Sequence, residues 1–243
     1  MKCTAKQVFE KLVKGKITKE RGQIVFHLAG TEIVVKQRDV VGIIIQEWLE
    51  GWLRDHNIEF ATNPNTQMPP GLFLDPDNTK VNQMEVKAFN YKASPGFDIA
   101  DFNMYQREIT EKPWMLNVDY LIFGYEMTDD GDVYIRNLWL KKVWEITRPM
   151  KGWPLCLQVK HNVVHKIRPA KWYGTKSKFN LFPSMEYFLS AIEECVYKNQ
   201  DTRHDANKWK ERMVASYKKE YKKKLSIPRW YEIEDELIKG DEE

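Results

Sequence analysis

Glu85 and Lys87 stand two residues apart in the stretch Met84-Glu85-Val86-Lys87. In a strand, residues two apart point to the same face. A carboxylate and an ammonium are then presented side by side, bracketed by the apolar Met84, Val86 and Phe89. This pairing suits metal-assisted hydrolysis of a phosphodiester. Glu85 offers oxygen to a hard cation such as magnesium (Mg2+), and the backbone carbonyl of Val86 offers a further ligand. Lys87 is placed to position or activate the attacking water, or to stabilise charge developing on the phosphate. A lone E-x-K triplet equally describes a surface strand with a salt bridge. What lifts it above that reading is the short apolar strand Leu72-Phe73-Leu74 just before it, with a loop entering that strand through Pro70 and Gly71.

Those residues need a scaffold, and hydropathy periodicity outlines one. Residues 4–14 read as an amphipathic helix with Thr4 as N-cap. Residues 23–28 and 31–35 alternate around Ala29-Gly30 and predict a hairpin. From Asp39, read as a cap, an apolar stripe through Val41, Ile44, Ile45, Trp48, Leu49, Trp52 and Leu53 predicts a helix to about residue 55. Gln46 and Glu47 lie on that helix, where an acid or amide can stand beside a metal. Residues 57–71 are rich in Asn, Pro and Thr and read as a loop. Residues 72–74 and 83–90 read as strands separated by the turn Asp75-Pro76-Asp77-Asn78, 97–109 as a helix with Asp98 near its start, and 120–127 with 132–140 as a hairpin. Beyond residue 147 the pattern weakens: one or two strands over 158–168, then a helix over 183–198 with Ser184 as N-cap. Helix, strands, helix, strands give an α/β (α+β) fold with a strand-rich middle. A single domain over residues 1–243 is the simplest organisation, with a catalytic core at about 38–146 and an elaboration at about 147–230.

Composition narrows the class. No apolar run approaches the ~20 residues that span a bilayer, and the first residues lack an apolar leader. Cys3, Cys156 and Cys195 are scattered and odd in number, so they form neither a disulfide framework nor a zinc pattern. A reduced, cytoplasmic protein with no membrane partner is expected. The net charge is only +3, yet residues 141–180 carry ten lysines and arginines against one acid, Glu145. A second basic run at 208–224 is offset by the acidic residues after 232. A locally positive field of this kind attracts polyanions. At 208–224 a solvated helix face explains the charge as well, because Trp209, Met213 and Tyr217 recur at helical spacing.

Longer strings then make a specific likeness. Asn65-Thr66-Gln67, Pro70-x-Leu72-Phe73-Leu74, Met84-Glu85-Val86-Lys87-Ala88-Phe89-Asn90-Tyr91, residues 93–100, 119–125 and 139–146, and the helix carrying Gly42, Gln46 and Trp48 together resemble type II restriction endonucleases of the NgoBV/NlaIV kind. These belong to the PD-(D/E)xK nuclease superfamily. The resemblance runs from about residue 34 to 168. It implies a PD-(D/E)xK restriction-endonuclease-like core with a central mixed β-sheet flanked by helices. It also implies magnesium-dependent cleavage of both strands of double-stranded DNA at a short palindrome, plausibly GGNNCC, by a homodimer, with no small-molecule cofactor beyond the metal. A two-fold DNA site is matched by a two-fold protein.

One position departs from the family's pattern, which puts an aspartate after Pro70 where this sequence has Gly71. Gly71 is read as replacing a metal-binding carboxylate, leaving the chain catalytically impaired. Asp75 is the weak alternative ligand, since at ~3.3 Å per residue it lies about 13 Å further along the strand. For DNA contacts, Asn65 and Gln67 precede the site on its loop, and Asn90, Lys92 and Ser94 follow the catalytic strand. In G·C pairs Arg and Lys suit guanine, and acids or amides suit cytosine. The candidates are Lys160, His161, Asn162, His165, Lys166, Arg168, Lys171, Lys176, Lys178 and Asn180, most of them expected on phosphate. The rivals are a DNA-binding protein without catalysis, a structure-selective repair nuclease of the same fold, and a single-strand or RNA binder stacking bases on Trp153, Trp172 and Tyr173. An interaction module with no nucleic acid leaves the lopsided charge unexplained.

Overall fold

The structure, a computed structural model, describes residues 1–65, 68–161 and 163–239. In chain order the elements are α1 (Ala5–Lys14), β1 (Arg21–Gln23), β2 (Val25–Leu28), β3 (Thr31–Val34), α2 (Val41–Asp55), β4 (Ala61–Thr62), β5 (Leu72–Phe73) and β6 (Gln83–Asn90). They continue with β7 (Ala100–Asp101), α3 (Phe102–Glu111), β8 (Asp119–Met127), β9 (Asp132–Lys141), β10 (Leu157–Lys160), β11 (Val163–Ile167), α4 (Met185–Lys198), α5 (Trp209–Tyr221) and α6 (Trp230–Ile233). The chain falls into two compact units. The first comprises Met1–Pro64, Pro70–Phe97 and Asp119–Lys141; the second comprises Asn65–Pro69, Asp98–Val118 and Lys142–Glu243.

The first unit is built on a mixed six-stranded sheet in the order β1-β9-β8-β6-β5-β4. β6 and β8 run parallel and every other neighbouring pair is antiparallel. A parallel pair needs a long crossover, and the chain between Asn90 and Asp119, which carries α3, supplies it. β6 is buried along most of its length, as a strand covered on both faces should be. Ile45, Leu49 and Leu53 recur every four residues along α2 and join Leu72, Met84, Val86, Leu121 and Phe123 in one core. Each such leucine contributes roughly 1.5–3 kcal/mol when fully buried. At α1, Thr4 is the N-cap as expected, and Gln7 completes a reciprocal capping box with it. The Ala29-Gly30 turn has positive φ at both residues, the twist that joins antiparallel strands in two residues.

In the second unit β10, β11 and β7 form a three-stranded antiparallel sheet. The helix expected over residues 97–109 starts only at Phe102. The Ile99 N–H donates to the Ile167 carbonyl, and Ala100 and Asp101 pair with β11. That extended pairing excludes helical dihedrals until Phe102, so Asp101, not Asp98, caps α3 by accepting from the Met104 N–H at 3.0 Å. Two other expected caps form no side-chain bond: Asp39 lies in a 3-10 turn ahead of α2, and Ser184 precedes α4. α5 buries Trp209 and Met213, and the Trp209 Nε1–H donates to the Gln106 carbonyl at 2.8 Å. All three cysteines are free. Among the described residues no helix is long and apolar enough to cross a membrane.

Candidate active site

The site sits where β5 meets β6. Leu72 pairs with Met84 and Phe73 with Gln83, so antiparallel register sets Gly71 opposite Glu85. A Cβ at Gly71 would lie 3.4 Å from Glu85 Oε2 and 3.9 Å from Gln46 Nε2. Three elements thus converge: the start of β5, the middle of β6 and the exposed flank of α2. Asn63, which the sequence did not single out, holds the segment in place. Its backbone N–H donates to the Gly71 carbonyl at 2.9 Å and its side-chain amide to the Pro70 carbonyl at 2.9 Å.

Glu85 is 9% exposed. Its Oε1 takes an ion pair from Lys87 Nζ at 2.8 Å, while the buried Oε2 has no hydrogen-bond partner. A buried carboxylate oxygen left unsatisfied costs free energy. It is therefore a ready place for a cation or donor to enter, and it faces position 71. The donor set for a hard metal is incomplete, however. Glu85 and the Val86 carbonyl are oxygen donors, but among the described residues no three His, Cys, Asp or Glu side chains stand together as a metal cluster. Gly71 itself adopts no positive φ. The backbone there does not demand glycine, and the space a side chain would fill opens onto Glu85.

Asp75 is committed elsewhere. Lys2 Nζ lies 2.6 Å from Asp75 Oδ1 and 2.8 Å from Asp77 Oδ2, and the hydrogen bond from Lys2 holds the Asp75 carboxyl below its ordinary range. On helix α2, Gln46 reaches position 71, whereas Glu47 is solvent-exposed.

Past β6, Asn90 Oδ1 accepts from the Lys92 N–H at 3.1 Å, Lys92 Nζ lies 3.9 Å from Glu126, and Ser94 is exposed. The remaining candidates for DNA contact belong to the second unit. Asn65 is exposed there; Gln67 and Asn162 lie outside the described residues. Lys160, His161 and His165 are exposed on the β10–β11 hairpin, with His161 at φ 51° in its turn. Lys166 lies 3.5 Å from Asp101, and Arg168 is paired with Asp98. Lys171 lies over the Tyr173 ring at 5.4 Å, and Lys176 and Lys178 are exposed. Asn180 donates its backbone N–H to Leu237. The hairpin and the loop after it therefore hold several cations free to meet a polyanion, while Lys166 and Arg168 are already neutralised. Trp153, Trp172 and Tyr173 are half-buried.

Comparison with known proteins settles the lineage. Residues 2–237 match the family described as NgoBV restriction endonuclease. The chain is 57% identical over 235 residues to the type II restriction enzyme NlaIV of Neisseria lactamica, a match covering 96% of this chain and 97% of that protein. It is 49% identical over 176 residues to the type II restriction enzyme NgoBV of Neisseria gonorrhoeae, covering 72% of this chain and 99% of that protein. A solved structure of NlaIV restriction endonuclease superposes with a TM-score of 0.96 at 56% identity, over 99% of this chain and 98% of that one. The resemblance carried by residues 34–168 thus extends over nearly the whole chain, with the mixed sheet and flanking helices it implied. The chain belongs to the NgoBV restriction endonuclease family.

Proposed function

We propose that this chain is a type II site-specific deoxyribonuclease that binds a short palindrome in double-stranded DNA as a homodimer, with GGNNCC as its target, and that its magnesium-dependent hydrolysis is weakened by Gly71. The relatives are named type II restriction enzymes. One observation carries the reading of the site: the unpartnered Glu85 Oε2 faces a position where a Cβ would stand 3.4 Å away. An aspartate there would join Glu85 in a two-carboxylate set, which this chain lacks.

Glu85 and the Val86 carbonyl are the groups that would hold the cation. When bound, it polarises a phosphate oxygen and acidifies water. Lys87 Nζ, held by Glu85 Oε1 on the same face of β6, is placed to orient the nucleophile or to meet negative charge growing on the phosphate. Gln46 Nε2 is a neutral donor beside the gap. With one carboxylate already paired to a lysine, the site carries almost no net charge. DNA phosphate can then approach it without a counter-ion, so binding should persist where cleavage does not.

The test is binding and cleavage of a GGNNCC duplex against a scrambled duplex of equal length, at matched salt, with calcium or magnesium, and with products resolved on a gel. Selective binding with little or no cutting is expected. Equal affinity for both duplexes overturns the target, and efficient cutting by the unaltered chain overturns the role given to Gly71.

A further inference from the structure

The basic loop of the second unit is held in place from far along the chain. The connection from β11 to α4, residues 168–184, carries no helix or strand among the described residues. A connection of that length without secondary structure is uncommon in a compact unit and is usually functional. Thr175, Lys176 and Lys178 are exposed along it. The bonds that the stretch 175–180 makes to itself are short-range. The Ser177 N–H donates to the Thr175 carbonyl at 3.0 Å. Ser177 Oγ donates to the Phe179 carbonyl at 2.9 Å and accepts from the Phe179 N–H at 3.0 Å. Such bonds curl a segment without fixing where it stands.

Residues 235–239 supply the fixed point. They return alongside the loop, and Phe179 and Ile238 form an isolated antiparallel bridge. The Asn180 N–H donates to the Leu237 carbonyl at 2.8 Å, and the Lys239 N–H to the Lys178 carbonyl at 2.9 Å. Lys239 Nζ donates to the Thr175 carbonyl at 3.2 Å. From the first turn of α4, the Tyr187 hydroxyl donates to Glu236 Oε2 at 2.5 Å. That hydrogen bond raises the Tyr187 hydroxyl above its ordinary value, so the proton stays on the tyrosine. Leu237 is buried and anchors the segment.

We infer that residues 235–239 are a strap that holds the loop 175–180 ready for DNA phosphate, with Tyr187 and Lys239 as positioning residues and Lys176 and Lys178 as the groups they position. The strap carries Asp235 and Glu236, yet it grips the loop through main chain, Lys239 and Tyr187. The exposed Lys176 and Lys178 form no ion pair among the described residues. A strap built to keep DNA away would neutralise those ammoniums, as Asp98 does Arg168 and Asp101 does Lys166. Here the backbone is tied and the charges are left in solvent. A loop already ordered meets phosphate without an ordering cost falling on the binding step. The Asn180 amide is itself taken up by the Glu236 carbonyl at 3.4 Å, which leaves contact to the two lysines. The inference rests on the DNA-binding reading above and names what orders one of its contact loops.

Fluorescence anisotropy of a GGNNCC duplex with the full chain, at fixed salt with calcium, tests it together with hydrogen exchange of the 175–180 amides. Lys239→Pro removes the N–H that bonds Lys178, and Ile238, at φ −91° and ψ 123°, already has the extended geometry that precedes proline. Lys239→Ala removes the same charge and keeps the N–H. Tyr187→Phe removes only the hydroxyl. Exchange over 175–180 should quicken in Lys239→Pro and Tyr187→Phe, with unchanged far-ultraviolet circular dichroism. Duplex affinity should fall about tenfold in Lys239→Pro relative to Lys239→Ala, and about threefold in Tyr187→Phe relative to the unaltered chain. In a Lys176→Ala/Lys178→Ala background the difference between Lys239→Pro and Lys239→Ala should shrink to within about twofold, because the loop then has no charge to place. Unchanged exchange, faster exchange with unchanged affinity, or an equal loss in both backgrounds overturns the strap's role. The two readings fail separately. A chain that binds no duplex removes the DNA-binding reading and the strap's role with it. Duplex binding that the lysine pair weakens and the strap variants leave intact removes the strap alone.

Discussion

Gly71→Asp is the most informative perturbation, because opposing effects can be sized from the structure. Glycine is not required by its backbone angles, so adding a side chain removes unfolded-state freedom and contributes about 0.4–1 kcal/mol. Against this, the new carboxylate points at Glu85 Oε2, 3.4 Å from the added Cβ. Two like charges roughly 4 Å apart repel by about 4 kcal/mol at an effective dielectric of about 20. Lys87 at 2.8 Å and the nearby Gln46 amide offset part of that. Without metal, the variant should therefore be less stable than its parent by about 1–3 kcal/mol, a drop of several degrees in Tm. Magnesium should reverse the sign. A cation at 100 times its Kd adds about 2.7 kcal/mol to the state that binds it, whereas the parent, with one carboxylate, should respond much less. Because losing even groups that only support a metal ligand costs 10–100-fold, cleavage of a GGNNCC duplex should rise by about 100-fold or more in the variant. Thermal melts with and without magnesium, followed by a gel assay, read both effects. Unchanged stability without metal together with no metal-dependent shift would refute the placement of residue 71 against Glu85. Metal binding without any gain in cleavage would refute the catalytic assignment of Glu85 and Lys87.

Two further outcomes follow from the same geometry. In the Gly71→Asp background, Lys87→Met should abolish cleavage and leave duplex affinity within a fewfold; in the unaltered chain it strips Glu85 of its ion pair, and a urea titration should show a loss of about 1–3 kcal/mol, less than for a fully buried pair because Lys87 is partly exposed. Alanine at Lys160, Lys171, Lys176 or Lys178 should weaken binding to specific and scrambled duplexes alike, each lowering the slope of log affinity against log salt by about 0.9 if it neutralises one phosphate; a loss confined to the specific duplex would instead assign that lysine to base recognition.

Short-range patterning determined much of this protein from sequence alone. Alternation over 83–90 and 132–140 and the four-residue stripe on α2 depend on local side-chain periods, and the elements formed almost where those periods put them. Two-residue spacing on a strand was enough to set Glu85 and Lys87 on one face. Residues 97–101 show the limit: their local pattern read as helix, yet pairing with β11 made them extended. Nothing nearby in sequence announces a partner more than sixty residues away. The same reason explains why only the tertiary structure decided that Gly71 stands against Glu85. A strand register shifted by one residue turns every side chain to the opposite face, and it is the packing of Leu72 and Met84 into the core that selects the register observed. The clamp from Asn63, the engagement of Asp75 by Lys2 and the bare face of the β2–β3 hairpin are likewise products of long-range packing, which the order of residues constrains without displaying.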